Sequence, residues 1–148
     1  MPVSPVPRFT DSFLGRSAEL GGGNMLRILV VEDNKLFREA IKKRLEDDFP
    51  SIAVEEAADS EEALQEINKA SPHLIFMDIR LPGMNGLELT KKIKKDSPGI
   101  TIAILTDYDL PEYREAANQY GADRFFVKSA FNWNEVEALI KSMQSGVH

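Results

Sequence analysis

His73-Leu74-Ile75-Phe76-Met77-Asp78-Ile79-Arg80-Leu81-Pro82-Gly83 is the stretch on which the reading of the chain turns. The apolar run Leu74 to Met77 ends in one carboxylate, Asp78, and a turn-forming Pro-Gly pair follows. An apolar run bounded this way predicts a buried strand of a parallel sheet. Open α/β sheets bind their ligands in the crevice outside the carboxyl ends of the strands. Asp78 is expected to stand at that place. A lone aspartate after a strand is more often a plain turn or cap residue, so its neighbours must decide.

On either side of this stretch the chain alternates between short β-branched runs and segments with helical spacing. Ile28 to Val31 reads as a first strand, closed by Glu32-Asp33-Asn34, with Asn34 as a helix N-cap. Phe37, Ala40, Ile41 and Leu45 then recur at helical spacing. Ile52-Ala53-Val54 reads as a second strand. Asp59-Ser60-Glu61-Glu62 has the form of a capping box, and Ala63, Ile67 and Ala70 mark the inward side of the helix it opens. Beyond the stretch ending at Asp78, Asn85-Gly86 closes a loop, and Leu89 and Ile93 mark a third helix. Ile100 to Leu105 is a fourth strand, terminated by Thr106-Asp107. Pro111 suits the first turn of a fourth helix with the face Tyr113, Ala116, Ala117 and Tyr120, and Gly121 suits the position just past its end. Arg124 to Val127 is a fifth strand ending at Lys128. Val136, Leu139, Ile140 and Met143 form the stripe of a last helix.

Five strand–helix units predict an α/β fold: a doubly wound (βα)5 flavodoxin-like domain with a five-stranded parallel sheet in the order 2-1-3-4-5. Length and charge agree with one folded domain. The 148 residues are 43% hydrophobic and 28% charged, with a net charge of −6 that gives no footprint for direct nucleic-acid binding. There is no cysteine and there are two histidines, His73 and His148, so thiolate and imidazole metal sites are not expected. No apolar run approaches the ~20 residues of a bilayer span, and the N-terminus lacks the apolar core of a signal peptide. The expected location is the cytoplasm, with no membrane partner. Residues 1–24, with three prolines at positions 2, 5 and 7 and the run Gly21-Gly22-Gly23-Asn24, read as a flexible arm. The alternative for the arm is docking through Phe9, Phe13 and Leu14. Residues 25–148 read as the folded domain.

The strand ends carry the chemistry. Strand one deposits Glu32 and Asp33, strand three Asp78, strand four Thr106 and strand five Lys128. In the order 2-1-3-4-5 strands one and three are neighbours, so three carboxylates converge at the topological switch. Carboxylates this close need a cation, and an all-oxygen site with open positions suits Mg²⁺. Asp33 and Asp78 are expected as direct ligands, Glu32 through water, and the backbone carbonyl of Arg80 as a further oxygen. Asp78 would then be an ionised nucleophile facing a phosphoryl donor. Lys128 and the cation would neutralise charge on the transferring group, and Thr106 would donate a hydrogen bond to it.

Leu29-Val30-Val31-Glu32-Asp33-Asn34, Met77-Asp78-Ile79-Arg80-Leu81-Pro82-Gly83-Met84-Asn85-Gly86, Leu105-Thr106-Asp107 and Gly121-Ala122-Asp123-Arg124-Phe125-Phe126-Val127-Lys128 together resemble the receiver domain of two-component response regulators. The resemblance covers roughly residues 25–145. It implies that Asp78 is the phosphoacceptor, that Glu32 and Asp33 complete the Mg²⁺ site, that Thr106 is the switch hydroxyl, and that Lys128 pairs with the phosphoryl group. It makes Phe125 the switch aromatic, where the residue alone reads equally well as core. It implies a sensor histidine kinase or phosphotransfer protein as donor and an output face of fourth helix, fifth strand and last helix. Homodimerisation on phosphorylation and attachment to a helix-turn-helix transcriptional output domain belong to the same implication.

Two positions depart from the family pattern. Asp107 stands where a small apolar residue is usual, either hindering a donor at the rim or capping the next helix. Ser129 stands where a cis-proline is usual, and a trans Lys128–Ser129 bond is expected. The competing readings are a phosphohydrolase, disfavoured because Arg80 stands where its second acid is needed, and a non-phosphorylated receiver-like interaction module. His73 is read as structural, Lys91-Lys92-Lys94-Lys95 as a solvated helix face, and Trp133 as a local anchor at a helix start.

Overall fold

A computed structural model describes residues 25–146. The elements are β1 (Arg27–Val31), α1 (Lys35–Asp48), β2 (Ala53–Ala57), α2 (Ser60–Lys69), β3 (Leu74–Asp78), α3 (Gly86–Asp96), β4 (Thr101–Thr106), α4 (Pro111–Gln119), β5 (Arg124–Val127) and α5 (Trp133–Ser145), with a 3₁₀ turn over Lys128–Ala130. The five strands form one sheet in the order β2-β1-β3-β4-β5, every pair parallel. This is the flavodoxin-like doubly wound topology that the alternation predicts. The arm 1–24 and the docking alternative for Phe9, Phe13 and Leu14 lie outside the described residues.

The sheet separates two apolar layers. On one face Ile28, Val30, Phe76, Ala103, Leu105 and Phe126 pack with Ile41 and Leu45 of α1 and with Val136, Leu139 and Ile140 of α5. On the other face Leu29, Val31, Ile75, Met77, Ile102 and Ile104 pack with Ala63 of α2, Leu89 and Ile93 of α3 and Ala117 of α4. Strands buried on both faces need continuous apolar runs rather than alternation. β3 is buried at all five positions, Asp78 included. Among the described residues no helix is long and apolar enough to cross a membrane.

Capping chemistry sets where the helices begin. Asn34 accepts the N–H of Phe37, Asp59 that of Glu62, and Asn85 those of Leu87 and Glu88. The Glu62 side chain reaches back one residue further than a standard capping box, to the N–H of Ala58 at 2.8 Å. Gly121 follows α4 with φ +96°, the left-handed region that glycine enters without penalty. Several details differ from the sequence reading. β2 runs on through Glu55 and Glu56, because Glu56 finds Arg38 and Lys42 of α1 as ionic partners. Ala40 and Ala70 are exposed, and Ala70 is the C-cap of α2 rather than part of its inward face. Lys94 is not a solvated charge; its ammonium lies 2.8 Å from Asp123. Trp133 is more than a local anchor, since its indole N–H donates to Asp48 at the end of α1.

Candidate functional site

The parallel register delivers the acidic groups to one edge. Val31 pairs with Met77 and Asp78 with Leu105, so Glu32, just past β1, and Asp78, the last residue of β3, share one level, and Thr106 ends β4 one step further on. Glu32 leaves β1, its N–H donating to Ala57 O at 3.0 Å, and turns into the crevice between β1 and β3. Carboxylate oxygens of Glu32, Asp33 and Asp78 all lie within 4.8 Å of one another. Glu32 is 1% exposed and Asp78 5%, while Asp33 is exposed at the rim. Two buried carboxylates and one open one form an all-oxygen set with free positions, which fits a hard divalent cation that keeps part of its water.

Glycine makes the close approach at Asp78 possible. The first residue of α3 is Gly86, whose N–H donates to Ile79 O at 2.8 Å. A Cβ there would fall 1.9 Å from the carbonyl oxygen of Asp78. Only glycine lets α3 start directly against the strand end. Ser60, buried at the start of α2, holds the loop between them: its Oγ accepts the Met84 N–H at 2.9 Å and donates to Pro82 O at 3.4 Å.

Lys128 closes the crevice from β5. Thr106 pairs with Val127, so Lys128 stands one step past the sheet. Its ammonium lies 2.5 Å from Glu32 Oε1 and 3.7 Å from Asp78 Oδ1. The second oxygen of Glu32 accepts the Asn34 N–H at 2.9 Å. Arg38 fixes the same turn, donating to Glu32 O at 2.8 Å and to Glu56 Oε1 at 2.8 Å. A cleft of about 420 Å³ opens here, lined by Glu32, Asp33, Asn34, Phe37, Asp78, Arg80, Asp107 and Lys128.

Electrostatics follow from this packing. Burial, and then the neighbouring Glu32 carboxylate, push the Asp78 carboxyl up to about 7, with Lys128 and the Arg80 N–H pulling the other way. For Lys128 burial favours the neutral amine, but the Glu32 hydrogen bond and the charges of Asp78, Glu32 and Asp107 outweigh it and raise its pKa. A cation held by the three carboxylates would relieve the first of these strains by giving Asp78 a charge to face.

The remaining predicted residues are placed as follows. Thr106 is 1% exposed and its Oγ1 accepts the Tyr108 N–H at 3.2 Å, leaving its own proton free to donate. Phe125 is not in the cleft. It pairs in register with Ile104, lies half-buried against the α2–α3–α4 layer, and carries the Arg114 guanidinium 4.6 Å over its ring. Arg114 is held in turn at 2.5 Å from Asp109 on the β4–α4 loop. Arg80 extends over the Tyr108 ring at 4.5 Å, beside the cleft. Asp107 lines the cleft and does not cap α4, whose N-cap is Leu110 with no side-chain hydrogen bond. The Lys128–Ser129 peptide is trans, as are all others among the described residues. Asn34 and Phe37 are cleft residues that the sequence marks only as a helix cap and a position of a helix face. A hydrogen-bonded turn so close after Glu32 and Asp33 is the signal that bore on them.

A family model described as the response regulator receiver domain matches residues 28–141. The transcriptional regulatory protein DegU of Brevibacillus brevis is 29% identical over 123 residues, 82% of this chain and 50% of that protein. The response regulator GacA of Pseudomonas protegens is 31% identical over 122 residues, 82% of this chain and 57% of that protein. The chain therefore spans about half the length of these curated relatives. Among solved structures, a CheY-like response regulator receiver domain protein from Methanospirillum hungatei is similar at a TM-score of 0.74 and 31% identity, covering 83% of this chain and 96% of that one. The response regulator TrrA of Thermotoga maritima, in complex with Mg²⁺-BeF, is similar at a TM-score of 0.70 and 34% identity, covering 80% and 98%.

Proposed function

The chain belongs to the response regulator receiver domain family, and from that membership we propose that it works as a phosphoryl switch in two-component signalling, with Asp78 as the phosphoacceptor. The observation that carries the reading is the clustering of Glu32, Asp33 and Asp78 with oxygens within 4.8 Å, beside a lysine ammonium 3.7 Å from Asp78. Glu32, Asp33, Asp78 and the carbonyl of Arg80 would hold Mg²⁺, which would supply positive charge against a phosphoryl donor. An Asp78 carboxylate oxygen forms the new O–P bond. The bond from phosphorus to the donor breaks, and its electron pair leaves on the imidazole nitrogen of a phosphohistidine or on the carboxylate of a small acyl phosphate. Lys128 pairs with the transferred group.

The modification adds about two negative charges. Thr106 turns its hydroxyl toward the new oxygens, giving up its bond from Tyr108, and Phe125 moves into the space it leaves. That rearrangement alters the face built from α4, β5 and α5, where Tyr113 and Tyr120 lie. The donor is a sensor histidine kinase or a phosphotransfer protein in the cytoplasm, and the altered face forms a homodimer or meets an output partner. Relatives described as transcriptional regulators, of which this chain spans about half, support the input part of a helix-turn-helix regulator as its setting. The residue two past Asp78 is Arg80, which offers no acid for a leaving group, so the domain accepts a phosphoryl group without acting as a turnover phosphohydrolase.

Intact-mass measurement with Mg²⁺ and an acyl phosphate tests the reading. Wild type gains one phosphoryl group, and neither Asp78→Asn nor wild type in chelator does. A wild type that takes no label, while a control receiver does, overturns it. Asp107 at the cleft and Ser129 after Lys128 favour a second reading, an unphosphorylated interaction module that keeps the fold. Failure of Mg²⁺ to bind would select it.

A further inference from the structure

Ser129 follows Lys128 through a trans peptide, so the last loop has no proline ring to fix the lysine's direction. Three groups surround the ammonium instead. Glu32 Oε1 lies at 2.5 Å, Asp78 Oδ1 at 3.7 Å, and the centroid of the Phe37 ring at 4.7 Å. Phe37 stands on the first turn of α1, half-buried against the apolar layer that also holds Phe131 and Trp133. Asn34 links two of the three. Its N–H donates to Glu32 Oε2 at 2.9 Å, and its side-chain oxygen accepts the Phe37 N–H at 3.0 Å. Residues 32–37 thus form one braced turn that presents a carboxylate and an aromatic face to the same lysine.

The two holds differ in kind. Glu32 grips one N–H and competes with any anion that Lys128 must meet. A ring face attracts an ammonium through its quadrupole without a directed bond, so the nitrogen can pivot and stay within reach. We propose that Phe37 is the positioning residue of Lys128. Its ring keeps the ammonium over the cleft when Glu32 releases it, so that it can pair with the phosphoryl group on Asp78. This role rests on the phosphoacceptor reading above.

The test follows the rate of labelling of the full chain by acetyl phosphate with Mg²⁺, using intact mass, and measures Mg²⁺ affinity by calorimetry. The proteins are wild type, Phe37→Tyr, Phe37→Leu, and a chain with pentafluorophenylalanine at position 37. Phe37→Tyr should label at the wild-type rate. Phe37→Leu should label about three- to tenfold more slowly, with Mg²⁺ affinity unchanged. The fluorinated ring nearly keeps its shape but reverses its quadrupole, so it should be as slow as leucine; a ring that merely fills space would not show this. Wild-type rates in Phe37→Leu or in the fluorinated protein overturn the proposal. The ε-methylene of Lys128 gives a second readout. It should carry an upfield ring-current shift that Phe37→Leu abolishes, and absence of that shift in wild type also overturns the proposal. If the shift is present but wild type takes no label, the receiver reading itself fails and the role falls with it.

Discussion

Replacing Asp78 with asparagine should stabilise the metal-free protein while abolishing its chemistry. Asp78 is 5% exposed and faces a second carboxylate, Glu32, which itself is 1% exposed. Its carboxyl is raised from 3.8 to about 7 in the fold. A folded pKa above the unfolded value means that the native state holds its proton longer. Stability from this group is therefore complete below pH ~4 and is lost as pH rises through ~7. At about 1.4 kcal/mol per unit, the full shift would cost roughly 4 kcal/mol at pH 8. Asparagine still needs desolvation and gives up the attraction of Lys128, so a gain of about 2 kcal/mol is expected. That corresponds to a rise in Tm on the order of 5–10 °C for a domain of this size. Urea and thermal melts in chelator, at pH 5 and pH 8, measure it. The advantage of Asp78→Asn should be larger at pH 8 than at pH 5. Mg²⁺ should narrow the gap by stabilising wild type alone, through binding to the native state. An Asp78→Asn protein no more stable than wild type at pH 8, or a gap independent of pH, refutes the reasoning.

Gly86→Ala should destabilise the fold by about 3 kcal/mol and weaken Mg²⁺ binding, as read by denaturant melts and calorimetry, because its Cβ would fall 1.9 Å from the Asp78 carbonyl. Ser60→Ala should cost about 1–2 kcal/mol, since it strands the Met84 N–H that the buried hydroxyl now accepts at 2.9 Å. His73 Nδ1 accepts the Arg27 N–H at 2.9 Å, and burial, then the charge of Arg27, lowers its pKa. Its folded pKa lies below the unfolded value of 6.5, so stability is lost as pH falls from there, and the acid limb of a pH–stability curve should flatten in His73→Gln.

The architecture could be read from the chain because each level repeated the same message. β3 is apolar at four consecutive positions, and the helices carry stripes such as Val136, Leu139 and Ile140 that match the layers they enter. The site followed from topology. Once β1 and β3 are neighbours, Glu32, Asp33 and Asp78 must meet, and parallel pairing puts Lys128 one step beyond the level of Thr106. Tertiary partners were less legible. Lys94 sits in a basic run, yet Asp123, distant in sequence, takes it out of solvent. Ala40 satisfies helical spacing but faces outward, because alanine suits either side of a helix. Asp107 is as good a capping residue as any by type, but Asp109 takes the ionic partner on that loop and α4 begins without a side-chain cap. Phe37 read as one more position of a core stripe; its place over Lys128 depends on where β5 ends, which no local pattern encodes.

The most direct test of the central claim locates the modified residue. Labelled protein is reduced with borohydride, which converts an aspartyl phosphate to homoserine, and is then digested and sequenced by mass spectrometry. Homoserine at position 78 and at no other aspartate is the predicted result. Conversion at Asp33, Asp107 or any other carboxylate, with residue 78 unchanged, would contradict it.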